Sequence, residues 1–208
     1  MVSTKVVRRW IKPALFLLCL SPALMLALNG FGIVGSLGAN PVETIQDTLG
    51  QWGLRFLLIT LAVTPLRDWF NAPWLVQLRR MLGLYAFFYV LMHFLTWLFL
   101  DQGLYWSIIL EDIAKRPFIT IGFAALLLLI PLAVTSTNGM MRRLGKRWKT
   151  LHRLIYLIAL LGVWHYYWQV KKDVTEPLIY LSIVLVLLGW RMWKLRPKRK
   201  ASAVPEAL

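Results

Sequence analysis

The chain holds three histidines, His93, His152 and His165, and each falls in or beside an apolar run rather than in a polar loop. Two of them sit in LHRLIYLIALLGVWHYYW, residues 151–168, which reads as one apolar, membrane-length helix. The third sits in YAFFYVLMHFLTWLFL. An imidazole in a hydrocarbon environment is costly and rare, so its presence marks function by default. Imidazoles projecting from facing helices are what a haem iron takes as axial ligands. The residue types therefore point to a redox cofactor held between helices. The single cysteine, Cys19, lies within an apolar run, which excludes a disulfide framework and a cysteine-based metal site.

The elements that must position these groups are set by composition. Of 208 residues, 59% are hydrophobic, and the mean hydropathy is +0.62. A soluble domain of this length is about half apolar and richer in charge, so the bilayer is the solvent here. The net charge of +15 would fit a nucleic-acid partner. Its distribution argues against one, because the basic residues cluster beside the ends of hydrophobic segments, as they do when charge sets membrane topology. Arg8, Arg9 and Lys12 precede the first apolar run. No small-residue cleavage site follows, so this run reads as an uncleaved first span.

Six spans of roughly 20 residues emerge, the length that crosses about 30 Å of hydrocarbon: 11–31, 51–68, 81–100, 117–135, 150–169 and 177–194. GSLGANPVETIQDTLGQ reads as the link between the first two, with Gly38, Asn40 and Pro41 as turn formers. DQGLYWSIILEDIAKRP is amphipathic and suits the membrane interface, and Pro131 is expected to kink the fourth span. Nineteen of the 24 basic residues fall on the side of the amino terminus and five on the other. That asymmetry puts both termini in the cytoplasm. The organisation is then a cytoplasmic segment 1–10, a transmembrane domain 11–195 and a disordered cytoplasmic tail 196–208.

In this topology the third and fifth spans both run outward. At about 1.5 Å rise per residue, His93 lies about 20 Å in and His165 about 22 Å in. Two imidazoles at one depth match six-coordinate haem b. Each histidine taken singly could instead only hydrogen-bond a neighbouring helix. His152 lies near the inner surface, level with Arg79 and Arg80, and is followed by Arg153. It reads either as a ligand of a second, inner position or as a solvated interfacial histidine. Most of the tryptophans lie near span ends, where aromatic belts account for them.

The runs LGANPVETIQDTLG, TLAVTPLRDW, RRMLGLYAFFYVLMH, RPFITIGF, TSTNGMMRRLGKRWKTLHRLIY and HYYW resemble the MsrQ (YedZ) family of haem-binding membrane subunits. That family belongs to a ferric-reductase-like transmembrane group that includes NADPH oxidase membrane domains. The resemblance runs from about residue 35 to 190. It implies an inner-membrane b-type cytochrome that passes electrons to a periplasmic molybdenum-dependent methionine sulfoxide reductase, MsrP, for the repair of oxidised proteins. It further implies the quinone pool or a cytosolic flavin reductase as donor, and FMN beside haem b. The wider oxidase group stacks two haems on two histidines from each of two helices. Here the inner position of the third span holds Arg79 or Arg80 instead.

The sequence reading is thus an all-α, six-helix membrane bundle. His93 and His165 are the expected axial ligands of an outer haem, and His152, with Arg79, is expected to serve an inner haem or flavin. Two other classes stay open: a stand-alone transmembrane ferric or quinone oxidoreductase, and a membrane scaffold without a cofactor.

Overall fold

A computed structural model describes residues 2–170 and 173–195. The expected tail, 196–208, lies outside these residues, as do Lys171 and Lys172 of the charge count. The described chain is helical, with no strand among the described residues. Among the described residues, five helices are long and apolar enough to cross a membrane. We number the helices α1 (Thr4–Gly30), α2 (Pro41–Trp69), α3 (Arg79–Asp101), α4 (Trp106–Lys115), α5 (Pro117–Val134), α6 (Asn138–Leu144), α7 (Lys146–Leu151), α8 (Leu154–Gln169) and α9 (Thr175–Leu195). Large apolar side chains cover the outside of the bundle, among them Leu17, Leu18, Phe31, Leu110 and Val186. In water such a surface would be a large exposed patch; against lipid it is the expected solvent-facing side.

Helices α2 and α3 pack as one antiparallel hairpin and α5 and α8 as a second. The hairpins meet where α3 touches α5 and α2 touches α8, while α1 lies against the first hairpin and α9 against α8 and α2. The centre is filled by Phe56, Leu57, Leu61, Ala86, Tyr89, Leu129, Ile158, Ala159 and Val163. Ala86 and Ala159 are fully buried, as expected where small residues let helix backbones approach closely in a membrane.

Helix α1 is tied to α3 by tyrosines. The Tyr89 hydroxyl donates to the Cys19 carbonyl at 2.8 Å and accepts from the Ala23 amide at 3.1 Å. In an unbroken helix that amide and that carbonyl would pair with each other, so the hydroxyl is inserted into the ladder. Pro22 has no amide to give the Leu18 carbonyl, which accepts instead from the Ser21 hydroxyl at 2.8 Å. One turn toward the amino end, the Tyr85 hydroxyl donates to the Phe16 carbonyl at 2.8 Å.

Two sequence expectations are corrected. The second span begins at Pro41 rather than near 51, so most of the expected link, from Pro41 on, is helix. Asn40 caps it, its side chain accepting from the Glu43 amide and donating to the Glu43 carboxylate; Pro41 occupies the first turn, where its missing amide costs nothing. The run 151–168 is not one helix. It breaks at His152 and Arg153, where bonds of the tighter i→i+3 type replace the α ladder, from Arg153 to Thr150 and from Tyr156 to Arg153. The remaining α8 has 16 residues, shorter than the roughly 20 that cross the hydrocarbon unaided.

Candidate functional site

The geometry of α3 and α8 brings the rings of His93 and His165 together. Their ring centroids are 6.1 Å apart and the ring planes are inclined at 80°. Each ring is held from behind by a backbone carbonyl of the preceding helix in its own hairpin. His93 Nδ1 lies 2.9 Å from the Gln46 carbonyl of α2, and His165 Nδ1 lies 2.7 Å from the Phe118 carbonyl of α5. A carbonyl can only accept, so each Nδ1 carries the proton and donates. Each Nε2 is left with its lone pair free.

This arrangement was tested against a haem iron. A metal–imidazole bond of about 2.0–2.1 Å, plus roughly 1.2 Å from nitrogen to ring centre on each side, separates two trans ligands by roughly 6.4 Å between centroids. The observed 6.1 Å fits. The Nδ1–H to carbonyl bond is also the arrangement by which proteins fix the tautomer of a metal-binding histidine and make it more basic. Among the described residues there is no cluster of three or more His, Cys, Asp or Glu side chains suited to a bare metal ion. The site is a pair, and a pair is what a porphyrin-held iron requires.

His152 is not brought to this pair. It occupies the joint between α7 and α8, at the other end of α8 from His165. Its ring stacks on Trp148, with centroids 3.8 Å apart and planes at 25°. Nδ1 donates to the Trp148 carbonyl at 3.1 Å, and Trp148 is pinned in turn, its indole N–H donating to the Thr135 carbonyl at 2.9 Å. His152 Nε2 is buried and makes no hydrogen bond of good geometry among the described residues, although the Leu132 backbone lies close to the ring. A buried, unpartnered lone pair is uncommon and calls for a ligand or another explanation.

Arg79 and Arg80 open α3 at this same end and differ in setting. Arg80 is exposed and donates to the Asn138 side chain of α6. Arg79 is half-buried and makes no ion pair with a carboxylate among the described residues. Its electrostatic neighbours are His152, Tyr156 and Arg191. Arg191 comes from α9, bonds to the Tyr156 hydroxyl and lies 4.9 Å over its ring. Arg79, Arg191 and His152 thus form a basic group with no acid among them, a setting for a carboxylate or phosphate.

Sequence reasoning did not single out the groups that hold the imidazoles, namely the carbonyls of Gln46 and Phe118 and the glycines four residues beyond each, Gly50 and Gly122. A side chain at either glycine would strike the histidine ring. Backbone acceptors leave no trace in residue type. One signal was available: each histidine follows its carbonyl by the same interval, 47 residues. The glycines recur with it, and the run Leu-Ala-Val-Thr recurs at 61–64 and 132–135, one residue out of step.

Known proteins resemble this chain closely. A family model described as a ferric reductase like transmembrane component matches residues 49–163, a stretch that includes Arg79, His93 and His152. The protein-methionine-sulfoxide reductase heme-binding subunit MsrQ of Xanthomonas oryzae pv. oryzae (strain MAFF 311018) is 54% identical over 176 residues, which cover 83% of this chain and 81% of that protein. The subunit of the same name from Xanthomonas euvesicatoria pv. vesicatoria (strain 85-10) is 55% identical over 168 residues, covering 81% and 77%. That of Herminiimonas arsenicoxydans is 52% identical over 199 residues, covering 93% and 90%.

Proposed function

The chain belongs to the MsrQ family of heme-binding subunits, and on that premise we propose that it is a haem b subunit that carries electrons across the bacterial inner membrane. Its acceptor is a periplasmic molybdenum-dependent methionine sulfoxide reductase, MsrP, which repairs oxidised proteins. Its donor is the quinone pool or a cytosolic flavin reductase. The observation that carries the reading is the His93–His165 pair, 6.1 Å apart between two membrane helices.

When bound, haem b supplies a one-electron iron couple; the chain supplies everything that makes the couple useful. His93 and His165 would hold its iron through Nε2. Their Nδ1–H bonds to the Gln46 and Phe118 carbonyls keep the ligands basic and fix their direction. At the other end, the unpartnered Nε2 of His152 serves a second, inner cofactor, a haem or FMN. Arg79 pairs with the propionate or phosphate of that cofactor, because a guanidinium stays protonated and has no lone pair for iron. With α8 as a sixth, short span, both termini lie in the cytoplasm, and the His93–His165 pair occupies the outer half of the membrane. Segment 1–10 is then cytoplasmic and 11–195 the transmembrane domain.

The test is electron delivery. Inner-membrane vesicles containing the chain are reduced, and reoxidation of the haem band is followed after adding the molybdoenzyme and methionine sulfoxide. Reoxidation that requires both supports the reading. Rapid reoxidation by a ferric chelate alone, with no effect of the molybdoenzyme, would make this a stand-alone reductase.

A further inference from the structure

Two copies of one orienting device face each other at the histidine pair. In each, the first helix of a hairpin offers a carbonyl and, four residues on, a glycine; the second helix offers a histidine whose Nδ1–H reaches that carbonyl across the glycine. The two copies keep the same interval of 47 residues from carbonyl to histidine. The glycine is what makes the contact possible. A Cβ built at Gly50 would lie 3.0 Å from His93 Nδ1 and 3.1 Å from Cε1. At Gly122 it would lie 2.7 Å from His165 Nδ1, 2.8 Å from Cε1 and 3.2 Å from Cγ. At Gly122 a Cβ cannot stand unless the ring shifts, and at Gly50 the ring must give by a few tenths of an ångström.

We propose that Gly50 and Gly122, with the Gln46 and Phe118 carbonyls, are positioning residues that hold the two imidazole planes nearly perpendicular and thereby set the electronic state of the iron between them. The inference rests on the haem reading above. An imidazole bound to iron could rotate about the iron–nitrogen bond at small cost. Here each ring is tied through Nδ1 to a helix backbone and packed closely against a glycine, which restrains that rotation. The angle between the rings follows from how the two hairpins cross, and it is 80°. Parallel imidazoles interact with the same iron dπ orbital and split the dπ pair; perpendicular ones interact with one each and leave the pair nearly degenerate. The ferric, low-spin iron then has a strongly anisotropic electron paramagnetic resonance spectrum, dominated by one large-g feature in place of the three well-resolved rhombic features of parallel rings.

The two copies are unequal, and this gives a graded test. The contact at Gly122 is tighter than that at Gly50, so Gly122→Ala should turn its ring further than Gly50→Ala. Gly162 of α8 is the control, because a Cβ there meets only the Leu54 side chain at an ordinary 3.5 Å. The experiment is low-temperature resonance spectroscopy of the oxidised, purified full-length holoprotein, with haem per chain and reduction potential measured on the same samples. The wild type and Gly162→Ala should show the single large-g feature. Gly122→Ala should convert it toward the rhombic form or lose haem, and Gly50→Ala should shift it less while retaining haem. A full complement of haem with a rhombic wild-type spectrum overturns the proposal while sparing the haem reading. So does a Gly50→Ala spectrum and potential identical to wild type, whatever the state of Gly122→Ala. A wild type without haem overturns the haem reading and this inference together.

Discussion

At the scale of single residues, the three histidines divide by their surroundings. The His93 and His165 rings lie 6.1 Å apart, whereas His152 stacks on Trp148 at the other end of α8 and its Nε2 makes no hydrogen bond among the described residues. A cofactor held by one imidazole and by charge pairing has fewer bonds to lose than one held by two. His152→Ala should therefore remove a weakly held, substoichiometric component and slow electron entry, leaving the spectrum of the His93–His165 haem intact. Haem counts and reduced spectra of that variant beside His165→Ala check this; loss of the six-coordinate signal in His152→Ala alone would reverse the assignment. The histidines were legible because imidazole is out of place in hydrocarbon. Their carbonyl and glycine supports were not, since a backbone acceptor looks the same at every position. Arg191 was also missed, because its place beside Arg79 and Tyr156 depends on where α9 packs.

Among the elements, boundaries followed local chemistry where that chemistry was present. The start of α2 is written in Asn40-Pro41 and Glu43 as cap, first-turn proline and first-turn acid. The break before α8 carries no such mark. Leu151, His152 and Arg153 include neither glycine nor proline, and an apolar run follows them directly, so one long helix was the natural reading. The attachment of α1 was likewise invisible, since Tyr89 is one aromatic among many in α3. Its hydroxyl makes two bonds to the α1 backbone and its side chain is fully buried. Tyr89→Phe keeps the ring and removes both bonds, at a cost of about 1–3 kcal/mol. Thermal unfolding in detergent should start at a lower temperature than in wild type, while Tyr85→Phe, which loses one bond, should fall between the two. An unchanged midpoint for Tyr89→Phe would mean that α1 closes its own ladder without the tyrosine.

For the whole molecule, charge and packing tell one story from different evidence. Nineteen basic residues against five set the orientation proposed for the chain, and a surface rich in exposed leucine and valine suits lipid. Reporter fusions should put the 136–149 loop in the cytoplasm and the 36–50 and 101–116 loops outside; a periplasmic signal from a fusion at Arg147 would contradict the topology. Helical class and membrane environment could be read from composition alone. The pairing of the spans into two like hairpins, with a histidine on the second helix of each, could not, because contacts between apolar helices depend on shape rather than residue class.

The central claim is that iron is held between α3 and α8 by His93 and His165. Haem per chain and the reduced spectrum of purified His93→Ala and His165→Ala, at protein levels matched to wild type, test it most directly. Wild type should carry a low-spin, six-coordinate b-type haem, and each variant should lose it or retain only a small high-spin remnant. A full low-spin spectrum in either variant would contradict the claim.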